Sequence, residues 1–142
     1  MSEVAFYVAG DFPCSIWKHD SLGHLCGYIG VPKLHPWHGL NYDDIPADVH
    51  GGLTHTGSEK VLLKPKWIDG HKEYEEIIRD NAFPHDTGGD TWWMGFDCAH
   101  LGDLVPGSPS PGDVYRDEDY VRGEIESLVR QAAAAYNGRG DS

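Results

Sequence analysis

The chain has 142 residues and a formal net charge of −12 at pH 7 with histidine neutral. This length fits one domain that buries its own core without disulfides or metal. The acidic balance excludes the basic surface typical of nucleic-acid-binding proteins, so we expect no direct binding to DNA or RNA. Three cysteines without a Cys-x-x-Cys pair fit a reducing compartment. Because no segment has the pattern of a secretory signal or a membrane span, we expect a cytoplasmic protein with no membrane partner.

Short apolar segments in the first third of the chain predict β-strands at residues 4–8, 24–31 and 47–54. Residues 12–23 are mixed in composition and predict a loop. Residues 33–44, which contain proline, glycine, two histidines and two aromatics, predict a long ordered loop of the kind that often carries function.

The second half of the chain predicts further strands at residues 60–64 and 91–96. Between them, apolar residues spaced i, i+3 and i+4 predict a short helix over residues 73–82. Proline, glycine and aspartate predict loops at residues 83–90 and 103–114.

Residues 117–135 predict one long helix, because apolar side chains recur every three to four positions. Acidic residues at its start suit the positive end of the helix dipole, and an Asn-Gly pair ends it. The order of elements predicts an α+β fold, with a small, mostly antiparallel sheet packed by a long C-terminal helix. We expect residues 1–136 to form the single domain and residues 137–142 a flexible tail.

A strand ending in polar residues is the strongest candidate for a functional site. Asp97, His100 and Asp103 follow the strand at 91–96 at intervals of three residues, and His50 lies directly before the Gly-Gly pair of the strand predicted at 47–54. Imidazole and carboxylate are common ligands of zinc and manganese, so we predict a divalent metal held by His50, Asp97 and His100. Asp103 would be a further ligand or a catalytic base, and metal-bound water would hydrolyse a nucleotide or phosphoester. The alternative is that both aspartates only cap turns.

Cys98 offers a second, different chemistry. With His100 or His50 as a base it could form a thiolate–imidazole pair and act as a catalytic nucleophile. The alternative is that Cys98, which follows an apolar strand, is a small buried side chain of the core.

Aromatic and glycine residues predict a ligand-binding pocket for a nucleotide-like small molecule. Aromatic rings stack on nucleobases, exposed amides of a Gly-Gly pair hold phosphate, and lysines at 60, 64 and 66 would neutralise it. The alternative is that the aromatic residues only pack in the core or at its rim. The residues assigned to this pocket are Tyr28, Trp37, Tyr42, Gly51, Gly52, Thr54 and Lys64.

Three sequence blocks, at residues 27–32, 48–54 and 92–103, resemble a group of small uncharacterised proteins from tailed-phage and actinobacterial genomes. The resemblance covers about residues 24–130 and brings no known activity with it. It implies a phage-type accessory protein that acts in the cytoplasm of the host, where inhibition of host defence is an expectation by analogy.

The sequence leaves catalysis and binding open as alternatives. One hypothesis is a metal-assisted hydrolase of a nucleotide or phosphoester. A second is a non-catalytic binder that sequesters a nucleotide-like signal or inhibits a host defence protein. A third is that the acidic surface mimics nucleic acid and occupies a nucleic-acid-binding partner, which would make that association salt-sensitive.

Overall fold

A computed structural model of the chain describes residues 2–58, 61–78 and 91–139. All strands of these residues join one antiparallel sheet in the order β1-β2-β3-β7-β4-β5-β6. The elements are β1 (Ser2–Ala9), β2 (Phe12–Lys18), β3 (Leu25–Val31), a 3-10 turn (Tyr42–Asp44), β4 (His55–Ser58), β5 (Val61–Ile68), β6 (His71–Ile78), β7 (Trp92–Asp97) and α1 (Glu118–Arg139). The predicted α+β class, with an antiparallel sheet and a long C-terminal helix, is confirmed.

The predicted loop at residues 12–23 is wrong over its first part, because Phe12–Lys18 forms β2 and pairs along β1. The reversal between the two strands takes only Gly10 and Asp11, whose φ angles are 55° and 69°. Two consecutive residues with positive φ are typical of the tight turn that matches the twist of a hairpin. The turn at Gly10-Asp11 therefore favours a hairpin here, although Pro13, a residue that is uncommon in strands, hides the strand pattern of residues 12–18 in the sequence.

The predicted helix at residues 73–82 is also wrong where the structure describes it, since residues 71–78 form β6. β6 pairs with β5 over eight consecutive positions, from Val61↔Ile78 to Ile68↔His71. The turn between them is Asp69-Gly70, with φ angles of 50° and 81°, and Asp-Gly is a strong hairpin signal. Pairing along the whole strand overrides a helical spacing that rests on only three apolar residues. Residues 79–82, and the loop predicted at 83–90, lie outside the described residues.

The predicted strand at residues 47–54 is wrong, because the sheet resumes only at His55, the first residue of β4. Gly51 and Gly52 have φ angles of 66° and 82°, which direct the main chain into a turn instead of a strand. This turn is the segment that carries His50, so the deviation from the prediction bears directly on the site.

The two faces of the sheet are packed differently. Alternate side chains of a strand point to opposite faces. On one face, residues of β3 and β7 form the main core with the apolar side of α1; among them are Ile29, Met94, Phe96, Val121, Ile125 and Leu128. On the other face, Cys26, Tyr28 and Trp93 form a smaller buried cluster.

The first residues of β3 and the last residues of β7 lie at the same end of the two strands, because the strands are antiparallel. The amide of Cys98 extends the pairing by donating to the carbonyl of Leu25, at 3.0 Å. The chain then continues through a loop, closed by a bridge between Asp103 and Val114, towards the start of α1. That helix starts next to Asp117, whose carboxylate accepts a hydrogen bond from the amide of Tyr120, and runs to Arg139, beyond the predicted end. Among the described residues, no helix has the length and apolar character to cross a lipid bilayer.

Candidate functional site

Asp103 is the centre of the polar cluster at this end of β3 and β7. Its side chain is only 1% exposed, yet both of its oxygens accept hydrogen bonds. Oδ2 accepts hydrogen bonds from Nε2 of His50 at 2.7 Å and from the amide of His100 at 3.1 Å. Oδ1 accepts one from Nε of Arg116 at 2.9 Å. Burial by itself raises the pKa of this carboxyl, but the hydrogen bonds from His50 and Arg116 outweigh it and hold the pKa below its usual value. Asp103 is therefore a buried, ionised carboxylate.

His50 lies between Asp103 and Tyr120. Its Nε2 faces the carboxylate of Asp103, and its Nδ1 is 2.7 Å from the hydroxyl of Tyr120, a residue in the first turn of α1. An ionised carboxylate can only accept, so Nε2 of His50 donates to Asp103; in the neutral form of the ring, Nδ1 then accepts a hydrogen bond from the hydroxyl of Tyr120. The ring of His50 is fixed by partners on both of its nitrogens and is 14% exposed.

His100 stands at the rim of the same cluster, with 31% of its side chain exposed. Its ring meets that of His50 edge to face, with 5.6 Å between the centroids. Nδ1 of His100 is buried and makes no hydrogen bond within the described part of the chain, although Oδ1 of Asp97 is 3.5 Å away and Oδ2 of Asp103 is 3.7 Å away. An unsatisfied buried nitrogen is costly and calls for an explanation.

Gly51 lies directly against this ring. A Cβ added at Gly51 would overlap the imidazole of His100, and the positive φ of Gly51 already disfavours any other residue. The Gly-Gly turn therefore lets the main chain approach His100 closely.

The donor atoms of His50, His100 and Asp103 all lie within 4.8 Å of one another, so this group could hold a metal ion. Two imidazoles and one carboxylate form a ligand set typical of catalytic zinc, with the fourth position left to water. Asp97, the third ligand expected from the sequence, is outside this group. Its Oδ1 accepts the amide of Ala99 at 3.1 Å and caps the turn after β7. Of the predicted metal and acid–base residues, three come together and Asp97 lies beside them.

Cys98 is buried in the main core beneath this cluster. Burial, with smaller effects of nearby Asp103 and Cys26, raises the pKa of its thiol to about 12. At neutral pH it is a protonated thiol packed among apolar side chains, and such a group is a poor nucleophile. We therefore assign Cys98 no catalytic role.

The sheet separates the three aromatic residues of the predicted pocket. Tyr28 belongs to the small cluster on one face, whereas Trp37 is buried in the main core on the other, with Tyr42 packed against that core. Thr54 ties the turn to β7 through its amide, which donates to Gly95 at 2.8 Å, and its hydroxyl is 2.8 Å from Nδ1 of His55. The side chains of Lys60, Lys64 and Lys66 lie outside the described residues.

Sequence reasoning missed Arg116 and Tyr120. Arg116 is the first basic residue after β7 and is surrounded in sequence by acidic residues, which could have marked it. Tyr120 lies at a position of α1 that fits the apolar spacing of the helix, but the structure directs its hydroxyl to His50.

Comparison of the chain with protein-family models, with curated proteins and with solved structures finds no match. The resemblance to small phage proteins therefore stays a prediction. Function has to be inferred from the chemistry of the site.

Proposed function

We propose that the chain binds one divalent transition-metal ion through His50, His100 and Asp103, and that the metal activates water to hydrolyse a phosphoester such as a nucleotide. The observation that carries this proposal is that one donor atom from each of the three residues lies within 4.8 Å of the other two, beside the buried Nδ1 of His100, which has no hydrogen bond in the described residues. Zinc is the ion that two imidazoles and one carboxylate favour, and manganese, which prefers more oxygen ligands, is the second choice.

Metal binding would change the hydrogen bonds of His50 in a defined way. Both nitrogens of its ring have partners, so a metal has to replace either Asp103 or Tyr120. Replacing the contact to Asp103 leaves Nδ1 free to carry the proton and donate it to the oxygen of Tyr120. Metal-ligating histidines usually keep such a partner on the other nitrogen, so the ring proton of His50 would move from Nε2 to Nδ1 and would not be released.

A metal at this rim would lower the pKa of its bound water to about 7, which supplies hydroxide at neutral pH. Attack of such a hydroxide would form a new P–O bond while the ester P–O bond breaks, and the leaving alkoxide would take up a proton from solvent water. Asp97, a partly exposed carboxylate 3.5 Å from Nδ1 of His100, is the group we assign to accept the water proton. Asp103, buried and hydrogen-bonded on both oxygens, is assigned as a ligand instead of the base.

The metal content of purified protein tests the first half of this proposal. Tag-free protein is loaded with Zn²⁺, dialysed and measured by mass spectrometry. We expect about one metal ion per chain in the wild type, none in His100→Ala, and the wild-type value in His38→Ala. His38 is the matched control, because it is also a half-buried histidine and lies in a different cluster, beside Trp92. Equal metal in the wild type and in His100→Ala, or no metal in either, would overturn the assignment.

Turnover tests the second half. The zinc-loaded wild type and His38→Ala should hydrolyse bis(p-nitrophenyl) phosphate or a member of a nucleotide panel, and His100→Ala should not. A protein that binds zinc but turns over none of these substrates would keep the metal site and lose the hydrolase.

A second candidate is a binder that sequesters a nucleotide-like ligand without catalysis. It is favoured by one observation: all the hydrogen-bonding atoms of the Asp103 carboxylate and the His50 ring are already satisfied without a metal. Such a closed network can serve as a rigid ligand platform. A nucleotide that raises the melting temperature of metal-free protein and is recovered chemically unchanged would favour this function over the hydrolase.

A further inference from the structure

Arg116 is held at the edge of the metal cluster in a fixed orientation. Its Nε donates to Oδ1 of Asp103 at 2.9 Å, and its guanidinium carbon lies 4.8 Å above the ring centre of Tyr120. The carboxylate contact and the aromatic face together fix the plane of the guanidinium. Preorganisation of this kind lowers the entropic cost of binding a ligand.

The outer part of this guanidinium is available. The side chain is 28% exposed, and its two terminal amino groups form no hydrogen bond with any described residue. A planar fork of donors matches the oxygens of a phosphate, which it can bind through two parallel hydrogen bonds. Arg116 therefore presents an unused anion-binding edge beside the three proposed metal ligands.

The charge of the site makes this edge dependent on the metal. Asp97 and Asp103 carry two negative charges and Arg116 one positive charge, which leaves an excess negative charge that repels an anion. A divalent ion on His50, His100 and Asp103 reverses the sign of this excess. An anion bound at the edge would then meet both the metal and the guanidinium, the arrangement that stabilises phosphoryl groups.

We propose that Arg116 is the specificity-determining residue of this site and binds a non-bridging oxygen pair of a phosphoryl group once the metal is in place. The inference rests on the proposed metal site and adds to it the residue that selects phosphate.

Arg122 provides a matched control within the same chain. Its Nε donates to Oε2 of Glu118 at 2.9 Å, and its guanidinium carbon lies 4.5 Å above the ring of Tyr7. It thus has the same two restraints as Arg116 but has no part in the cluster of His50, His100 and Asp103.

The experiment titrates inorganic phosphate into zinc-loaded wild type, Arg116→Met, Arg116→Lys and Arg122→Met by calorimetry, with zinc affinity measured separately for each. We expect Arg116→Met to weaken phosphate binding about 10- to 100-fold, the loss typical of a charged hydrogen-bonding partner. Arg116→Lys should recover part of the affinity, because it keeps the charge but loses the fork. Arg122→Met should bind phosphate as the wild type does, and metal-free protein should bind it weakly.

Unchanged phosphate affinity in Arg116→Met, or an equal loss in Arg122→Met, would overturn the inference. So would zinc-loaded wild type that does not bind phosphate. In these cases normal zinc binding leaves the metal assignment standing, whereas failure to bind zinc removes the proposed function itself. The zinc affinity of each variant guards against a purely structural loss of phosphate binding. A variant of Arg116 that binds zinc normally has kept Asp103 in place.

Discussion

Asp103 joins three segments of the chain through its carboxylate: the turn that carries His50, its own loop through the amide of His100, and the segment before α1 through Arg116. Removing the carboxylate would leave these donors without a partner in a buried place, and unsatisfied buried groups cost about 1–3 kcal/mol each. Substitution of Asp103 would therefore disturb folding and function together. His100, at the rim, separates the two effects.

The close approach of Gly51 to His100 gives a prediction at the scale of one residue. Gly51→Ala should lower the free energy of unfolding by about 1–2 kcal/mol from its positive φ, and further because the new Cβ pushes the imidazole aside. Displacement of His100 should also reduce zinc binding. Chemical denaturation and zinc titration measure the two effects.

Gly52→Ala is the control for this substitution. Gly52 also has a positive φ, of 82°, but no atom lies within 4 Å of the position of its missing Cβ. We expect the conformational penalty alone and normal zinc affinity. If Gly52→Ala and Gly51→Ala lose zinc to the same degree, the contact between Gly51 and the ring of His100 does not matter for the site.

The residues that form the cluster were predictable to different degrees. His100 and Asp103 could be selected because polar ligand-type residues follow the apolar strand β7, and His50 because it stands directly before a Gly-Gly pair, although no strand forms there. Tyr120 could not, since its place in the apolar pattern of α1 gives no sign of a polar partner, and only the packing of α1 on the sheet brings its hydroxyl to His50. Proximity in sequence is also what made Asp97 and Cys98 attractive, although one caps a turn and the other is buried in the core.

At the scale of elements, the β5–β6 hairpin shows a segment where the local apolar spacing and the strand pairing disagree. The α1 prediction succeeded because its apolar spacing extends over several turns. The helix expected at residues 73–82 failed because three apolar residues are a weak pattern, and the Asp69-Gly70 turn and full pairing with β5 favour a strand. The Asp-Gly pair is the stronger of the two signals in this segment.

The Asp69-Gly70 turn can be tested with a pair of glycine substitutions. Gly70 has a φ of 81°, so Gly70→Ala should lower the free energy of unfolding by about 1–2 kcal/mol. Gly123 lies inside α1 with no atom within 4 Å of its missing Cβ, so Gly123→Ala should raise it by about 0.5–1 kcal/mol. Urea denaturation measures both. Opposite signs are the expected result, and a stabilising Gly70→Ala would contradict the turn.

At the scale of the whole molecule, Asp103 and His24 both act on stability in the same direction as pH falls. Asp103 is ionised in the fold with a lowered pKa, so its contribution to stability is lost in acid, below the usual range of an aspartate. His24, which is buried at the start of β3 and stacked on His19 with 5.0 Å between ring centroids, acts at a higher pH.

Burial lowers the pKa of His24 from its ordinary value of 6.5; His19 acts in the same direction, while Asp97 and Asp103 oppose it. Between 6.5 and the lowered value, the unfolded chain binds a proton at this residue that the folded chain does not. The free energy of unfolding should therefore be unaffected by His24 above this range and should fall as the pH drops through it.

In His24→Gln this part of the pH dependence should disappear, whereas His71→Gln, at an exposed position next to the β5–β6 turn, controls for loss of an imidazole. Urea denaturation at intervals from pH 7.5 to about pH 5 measures the slope of the unfolding free energy against pH. This slope reports how many more protons the unfolded chain binds than the folded chain. Equal slopes in the wild type and His24→Gln would mean that His24 takes up its proton in the folded chain as readily as in the unfolded one, which its burial beside His19 should prevent.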